Sequence, residues 1–266
     1  ISRDDGYSPA KAVENSRSLV EGDEVALMFG VLGTPLNMAI RPYLNKQGVP
    51  QLFVAAGSSA LNDPAHFPWT MGWQPNLRDE AKFYAKHLLA HNPKPKVAVL
   101  YQNDDFGKDL LNGLKEGLGE DSDKMIVSSQ NFQSTDPTID TQVISLQSAN
   151  PQVFLIAGSA RWAAQAIKKS AEIGWKALRI VNLNATSIAG TLKPAGIENS
   201  IGLLSATAYK DQTAPEWKND PDLAAWNKFL DKYMPNADRK DGGMLYGYSV
   251  GQTIIPISVP APIHFP

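Results

Sequence analysis

The chain has 266 residues, 25 Lys+Arg against 27 Asp+Glu, and a formal net charge of −2. With 43% hydrophobic and 20% charged residues it can bury the core of one or two domains, which argues against wholesale disorder. The near-neutral balance argues against a nucleic-acid partner. No apolar run approaches the ~18 residues a bilayer span needs, and the lack of cysteine removes disulfides, Cys-zinc sites and Cys nucleophiles.

In chain order the pattern predicts helices over 9–20, 36–47, 77–91, 106–118, 139–149, 161–173, 221–233 and 244–255. Strands are predicted over 24–29, 51–55, 97–101, 124–128, 152–156, 178–181 and 202–206. Ser8 before Pro9 reads as an N-cap with proline at the first helical position. Trp162, Ala166, Ile167 and Ile173 form one helical stripe, and Gly174 ends that helix. Strands alternating with helices at this spacing predict parallel sheets with helices on both faces. The chain opens on Ile1 without a signal peptide. It closes on IPISVPAPIHFP, where Pro256, Pro260, Pro262 and Pro266 are expected to prevent any helix. Both ends therefore read as those of a fragment.

Enzyme motifs find little support. Asp105-Phe106-Gly107 spells a kinase triplet, but the Gly-rich loop, VAIK-type lysine and HRD loop are missing, so a strand-to-helix turn is expected. His87 and His91 share a helix face, yet no Glu follows His87 and surface positions near a helix end are expected. No G-x-G-x-x-G, P-loop or G-x-S-x-G pattern occurs. Asn184-Ala185-Thr186 is formally a glycosylation acceptor, a triplet common by chance.

The strand-to-helix loops carry more. They read Val31-Leu32-Gly33-Thr34, Ala55-Ala56-Gly57-Ser58, Gln102-Asn103-Asp104-Asp105-Phe106, Ala157-Gly158-Ser159 and Asn182-Leu183-Asn184. In open α/β sheets ligands bind at such loops. Small hydroxyl-bearing residues beside helix N-termini suit a carboxylate, although turn chemistry alone also favours Gly and Ser there.

Taken with Asp4-Asp5-Gly6-Tyr7-Ser8-Pro9, Gly48-Val49-Pro50, Tyr101-Gln102-Asn103-Asp104-Asp105-Phe106-Gly107-Lys108, Asp136-Pro137-Thr138-Ile139-Asp140, Ala163-Ala164-Gln165-Ala166-Ile167 and Tyr246-Gly247-Tyr248, the sequence resembles the type I periplasmic solute-binding proteins of the leucine/isoleucine/valine-binding family. These are receptors of branched-chain-amino-acid-type ABC importers. The resemblance runs from about Asp4 to about Ile255.

It implies an α/β fold of two Rossmann-like lobes joined by a hinge. One lobe would hold residues 1–74 and 208–255 and lack its first strand and helix. The other would hold 75–207, with crossings near Gln74–Pro75 and Thr207, and residues 256–266 would form an atypical tail. By the same resemblance Thr34, Ala55, Ala56, Gly57 and Ser58 hold a ligand carboxylate, and Ser159 is a further contact. Asn103 and Asp104 would lie near the cleft edge. Phe106 stands at the family's tyrosine position and Asn184 at its ammonium-binding glutamate. Asn184 cannot balance a desolvated ammonium, so the expected ligand is a carboxylate without an α-amine, aromatic or short-chain, with a branched-chain amino acid as the alternative.

The expected role is a monomeric periplasmic receptor that delivers its ligand to a membrane permease, with no cofactor, catalysis, metal, nucleic acid or membrane insertion. A ligand-sensing domain of the same fold in a signalling protein is the alternative, and an α/β enzyme is a more distant one.

Overall fold

The computed structural model describes residues 1–258. Two parallel sheets are formed. The first contains β1 (Met28–Phe29), β2 (Gln51–Val54) and β3 (Thr70–Gly72), paired in that order. The second has the order β5-β4-β6-β7, from β4 (Val97–Gln102), β5 (Ile126–Phe132), β6 (Val153–Ala157) and β7 (Leu178–Val181).

Around the first sheet lie α1 (Pro9–Arg17) and α2 (Thr34–Gln47). Ala12 of α1 and Leu36, Ile40 and Leu44 of α2 pack with Leu19 and Met28 into one core. Ser8 caps α1, accepting from Lys11 N–H at 3.5 Å, with proline next in the chain.

The second sheet is buried on both faces. On one, α3 (Leu77–Leu89) and α4 (Asp105–Leu118) bring Leu77, Leu110 and Leu114 against Val97, Val99 and Leu155. On the other, α6 (Asp140–Ser148) and α7 (Ala160–Glu172) bring Val143, Trp162 and Ile167 against Ala98, Leu100 and Phe154. The strand period of two thus splits Val97 and Val99 from Ala98 and Leu100, and full burial explains why β4 and β6 read as unbroken apolar runs. The intervening α5 (Ser122–Met125) and α8 (Lys193–Ala195) are single turns.

Beyond the second sheet, α9 (Pro221–Tyr233) is capped by Asp220, which accepts from the N–H groups of Asp222 and Leu223 at 3.1 Å. α9 packs against α10 (Gly242–Ser258) through Leu223, Trp226, Leu230 and Leu245. Trp73, just past the first sheet, stacks on Tyr209 at 6.1 Å between ring centroids and donates to Thr253 Oγ1 at 3.2 Å.

Three expectations are corrected, and one strand is new. The strand predicted over 24–29 shrinks to its last two residues. The strand predicted over 202–206 reduces to one bridge, Leu204 to Ile180, and the segment ahead of it is held by Arg179, which donates to the carbonyls of Asn199 (2.6 Å) and Ile201 (3.1 Å). Thr70–Gly72 is a strand no pattern announced. Finally, α10 runs through Pro256 to Ser258, with Pro256 near its end, where the lost N–H affects a single backbone bond; Pro260, Pro262 and Pro266 lie outside the described residues.

Candidate functional site

Thr34 opens α2 and is fully buried. The cap is Gly33 rather than Thr34, at φ +96° and ψ +135°, a conformation that favours glycine. The loop before it is held by Asn37, whose side chain donates to the carbonyls of Val31 (2.8 Å) and Gly33 (2.7 Å), while its own oxygen accepts from Gln51 at 2.8 Å. Thr34 Oγ1 has no hydrogen-bond partner among the described residues. A buried hydroxyl left unpaired costs about 1–3 kcal/mol.

The loop after β2 is more occupied than its sequence suggests. Ala55 N–H donates to Val31 O at 3.0 Å, and Ala55 O accepts from Gly33 N–H at 3.1 Å. Gly57 is pressed against the next segment: a Cβ there would stand 2.1 Å from Pro75 O. Ser58 Oγ donates to Asp109 Oδ2 (2.9 Å), Ser59 N–H to the same oxygen (2.6 Å), and Ser59 Oγ and Arg78 Nε to Oδ1 (both 2.8 Å). Burial disfavours the charged form of Asp109, but these bonds outweigh it and hold its pKa below the usual aspartate value. Ala56, Gly57 and Ser58 also line a cavity of about 440 Å³ with Asn62, Gln74 and Asn76.

In the second layer two amides arrange the loops. Gln102 ends β4, accepts from Ser159 Oγ at 2.8 Å and donates to Asp104 at 2.6 Å. Asn182 is fully buried, donates to the carbonyls of Ile156 (3.3 Å) and Gly158 (2.7 Å), and accepts from Asn184 N–H at 3.1 Å. It therefore ties the Ser159 loop to the Asn184 loop. Leu183 N–H donates to Glu80 Oε1 at 2.7 Å, and Tyr84 donates to the same oxygen at 2.5 Å. Burial raises the pKa of Glu80 against the lowering effect of those two bonds.

Phe106 is 4% exposed and packs in the core with Leu77 and Leu110. In this structure its ring is a packing residue. Asp104 caps α4, accepting from the N–H groups of Phe106 (3.0 Å) and Gly107 (3.2 Å), so the Asp-Phe-Gly triplet is a helix start. His87 and His91 meet edge to face at 5.0 Å between ring centroids, and no metal-binding cluster occurs among the described residues.

The structure thus joins Thr34 to Ala55 through Gly33, and Ser159 to Asn184 through Asn182. Ser58 is joined to Asp109, a partner the sequence reading did not name. Asn37 is a further residue the sequence did not single out, while Gln102 and Asn182 stand in the quoted loops without the tying role the structure gives them.

Two parallel sheets flanked by helices, with Gly-, Ser- and Asn-bearing loops at the strand ends, are the type I periplasmic binding fold. The chain belongs to the periplasmic binding protein family, whose model matches residues 1–255. A possible leucine/isoleucine/valine-binding protein from Rhodopirellula baltica SH 1 is similar with a TM-score of 0.83 at 17% identity, over 99% of this chain and 70% of that one. An extracellular ligand-binding receptor from Rhodopseudomonas palustris HaA2 has a TM-score of 0.77 at 25% identity, over 98% and 73%. A branched chain amino acid ABC transporter protein from Thermus thermophilus, solved with bound valine, has a TM-score of 0.76 at 16% identity, over 97% and 65%. No curated protein matches the sequence. No helix among the described residues is long and apolar enough to cross a membrane.

Proposed function

We propose that this chain is the periplasmic receptor of an ABC importer, binding a small amine-free carboxylate and passing it to a membrane permease. The observation that carries the reading is the fully buried Thr34 hydroxyl, unpartnered at the start of α2. A helix N-terminus offers N–H donors and a favourable dipole to an anion, and a ligand oxygen would satisfy the hydroxyl.

Residues 1–74 with 208–255 form one lobe in this reading, and 75–207 the other. Thr34 and the Ala55–Ser58 loop contribute from the first, Ser159 and Asn184 from the second, with Phe106 backing the second wall from its core. Asn184 is neutral, so nothing at that position balances an ammonium. Binding is non-covalent, and ligand favours the closed population of the two lobes.

Thermal melting against a panel tests this. Benzoate, short fatty acids and dicarboxylates stand beside leucine, isoleucine and valine. A ligand at 100 times its dissociation constant adds about 2.7 kcal/mol, a shift of roughly 5–10 °C. A shift with amine-free acids alone is expected. A shift with leucine would keep the receptor and overturn the ligand class, and no shift with any acid would overturn the receptor.

A further inference from the structure

Tyr7 has no part in the site described so far. It sits at φ +59°, in the left-handed region that a bulky residue rarely adopts. The residues around it are spent on holding it there. Asp4 Oδ1 accepts from Gly6 N–H, and Asp5 Oδ1 accepts from Tyr7 N–H, both at 2.8 Å. Ser8 N–H donates to Asp5 O at 3.0 Å, and Ser8 then starts α1. Strain of this kind persists where its surroundings over-determine it, and it clusters at ligand sites.

The ring packs both on the core of the first sheet and on the α6–α7 side of the second. On one side it lies so close to Gly33 that a Cβ there would stand 2.6 Å from Tyr7 Cε2. On the other its centroid is 6.5 Å from that of Trp162. The backbone N–H of Trp162 in turn donates to Ser159 O at 3.0 Å. The ring therefore spans from the Gly33–Thr34 corner to the Ser159 corner. Thr34 Oγ1 and Trp162 Nε1, the two buried polar atoms flanking this span, both lack a partner among the described residues.

We propose that Tyr7 is a specificity-determining residue of the cleft, whose ring sets the size limit of the ligand. The proposal rests on the receptor reading above and assigns it a residue. A rigid aromatic with two side-chain torsions makes such a wall at low entropic cost, and the Gly33 contact leaves the ring no room to retreat on that side. The ligands it admits are small flat or short-chain acids.

Calorimetric titration of the full chain with butanoate, benzoate and 2-naphthoate tests it. In the wild type, 2-naphthoate is expected to bind at least ten-fold more weakly than the better of the smaller acids. Tyr7→Ala should close that gap by about ten-fold, while Tyr7→Phe, which keeps the ring on Gly33, should retain it. If Tyr7→Ala does not melt cooperatively, Tyr7→Leu, shorter but still apolar, carries the same comparison. An unchanged gap in the shortened variant overturns the proposal and leaves the receptor standing. A wild type that binds none of the three acids also overturns the proposal, and the receptor reading then stands or falls on the wider melting panel.

Discussion

The hydroxyl of Ser58 donates to Asp109 Oδ2 at 2.9 Å, and this bond fastens the loop after β2 of the first sheet to α4 of the second. The neighbouring N–H of Ser59 shares the same oxygen at 2.6 Å. An internal carboxylate thus sits on donors that resemble a ligand's anion site. Asp109→Asn is expected to lower stability by about 1–3 kcal/mol, because the neutral amide weakens charge-assisted bonds and turns a donor toward Ser or Arg donors. Ser58→Ala should cost less, and the double variant less than the sum of the two. Urea unfolding measures all three. Strict additivity would show that the two groups do not act together.

Two buried carboxyls give stability opposite pH dependences. The folded-state pKa of Asp109 lies below the usual 3.8, so its contribution is complete above that value and is lost as pH falls through the folded-state value. The folded-state pKa of Glu80 lies above the usual 4.5, so its contribution is complete below 4.5 and is lost as pH rises through its folded-state value. Glu80→Gln keeps an oxygen for Tyr84 and Leu183 but carries no charge. It should equal or exceed the wild type in stability at pH 8 and lose that advantage at pH 4. A larger deficit at pH 8 than at pH 4 would show that the Leu183 loop depends on the ionised carboxylate.

Gly57 is a steric requirement. A methyl group there would meet Pro75 O at 2.1 Å and Leu77 Cγ at 3.3 Å, and backbone on one side cannot move aside as a flexible side chain would. Leu77 N–H also donates to Gly57 O at 2.9 Å. Gly57→Ala should therefore destabilise by about 1–3 kcal/mol or more, as overpacking does, although Ala at an open position would stabilise. A thermal melt checks the sign, and an unchanged or raised midpoint would contradict the close approach.

Much of the fold was legible because its signals are local. Ser8, Asp104 and Asp220 cap helices within three residues of themselves, and β4 and β6 are apolar runs long enough to stand out. Thr70–Gly72 was not legible, since a three-residue strand with exposed Met71 has no burial pattern to write into the sequence. The site was less legible than the fold. The loops were found, but what each side chain does is set by contacts such as Ser58 with Asp109, 51 residues apart. Phe106 shows the same limit: a helix-start aromatic reads alike whether it faces a cleft or a core, and here the core holds it.

The central claim is that the buried, unpartnered hydroxyl of Thr34 waits for a ligand oxygen. Thr34→Val replaces that hydroxyl with a methyl of similar size and tests the claim most directly. Without ligand, the variant should be as stable as the wild type or more so by up to about 1 kcal/mol, because an unsatisfied polar atom has been removed. Titrated calorimetrically with the acid that most raises the wild-type melting point, it should bind about ten-fold more weakly, the loss of one bond to a charged acceptor. Equal affinity in the two proteins would contradict the account.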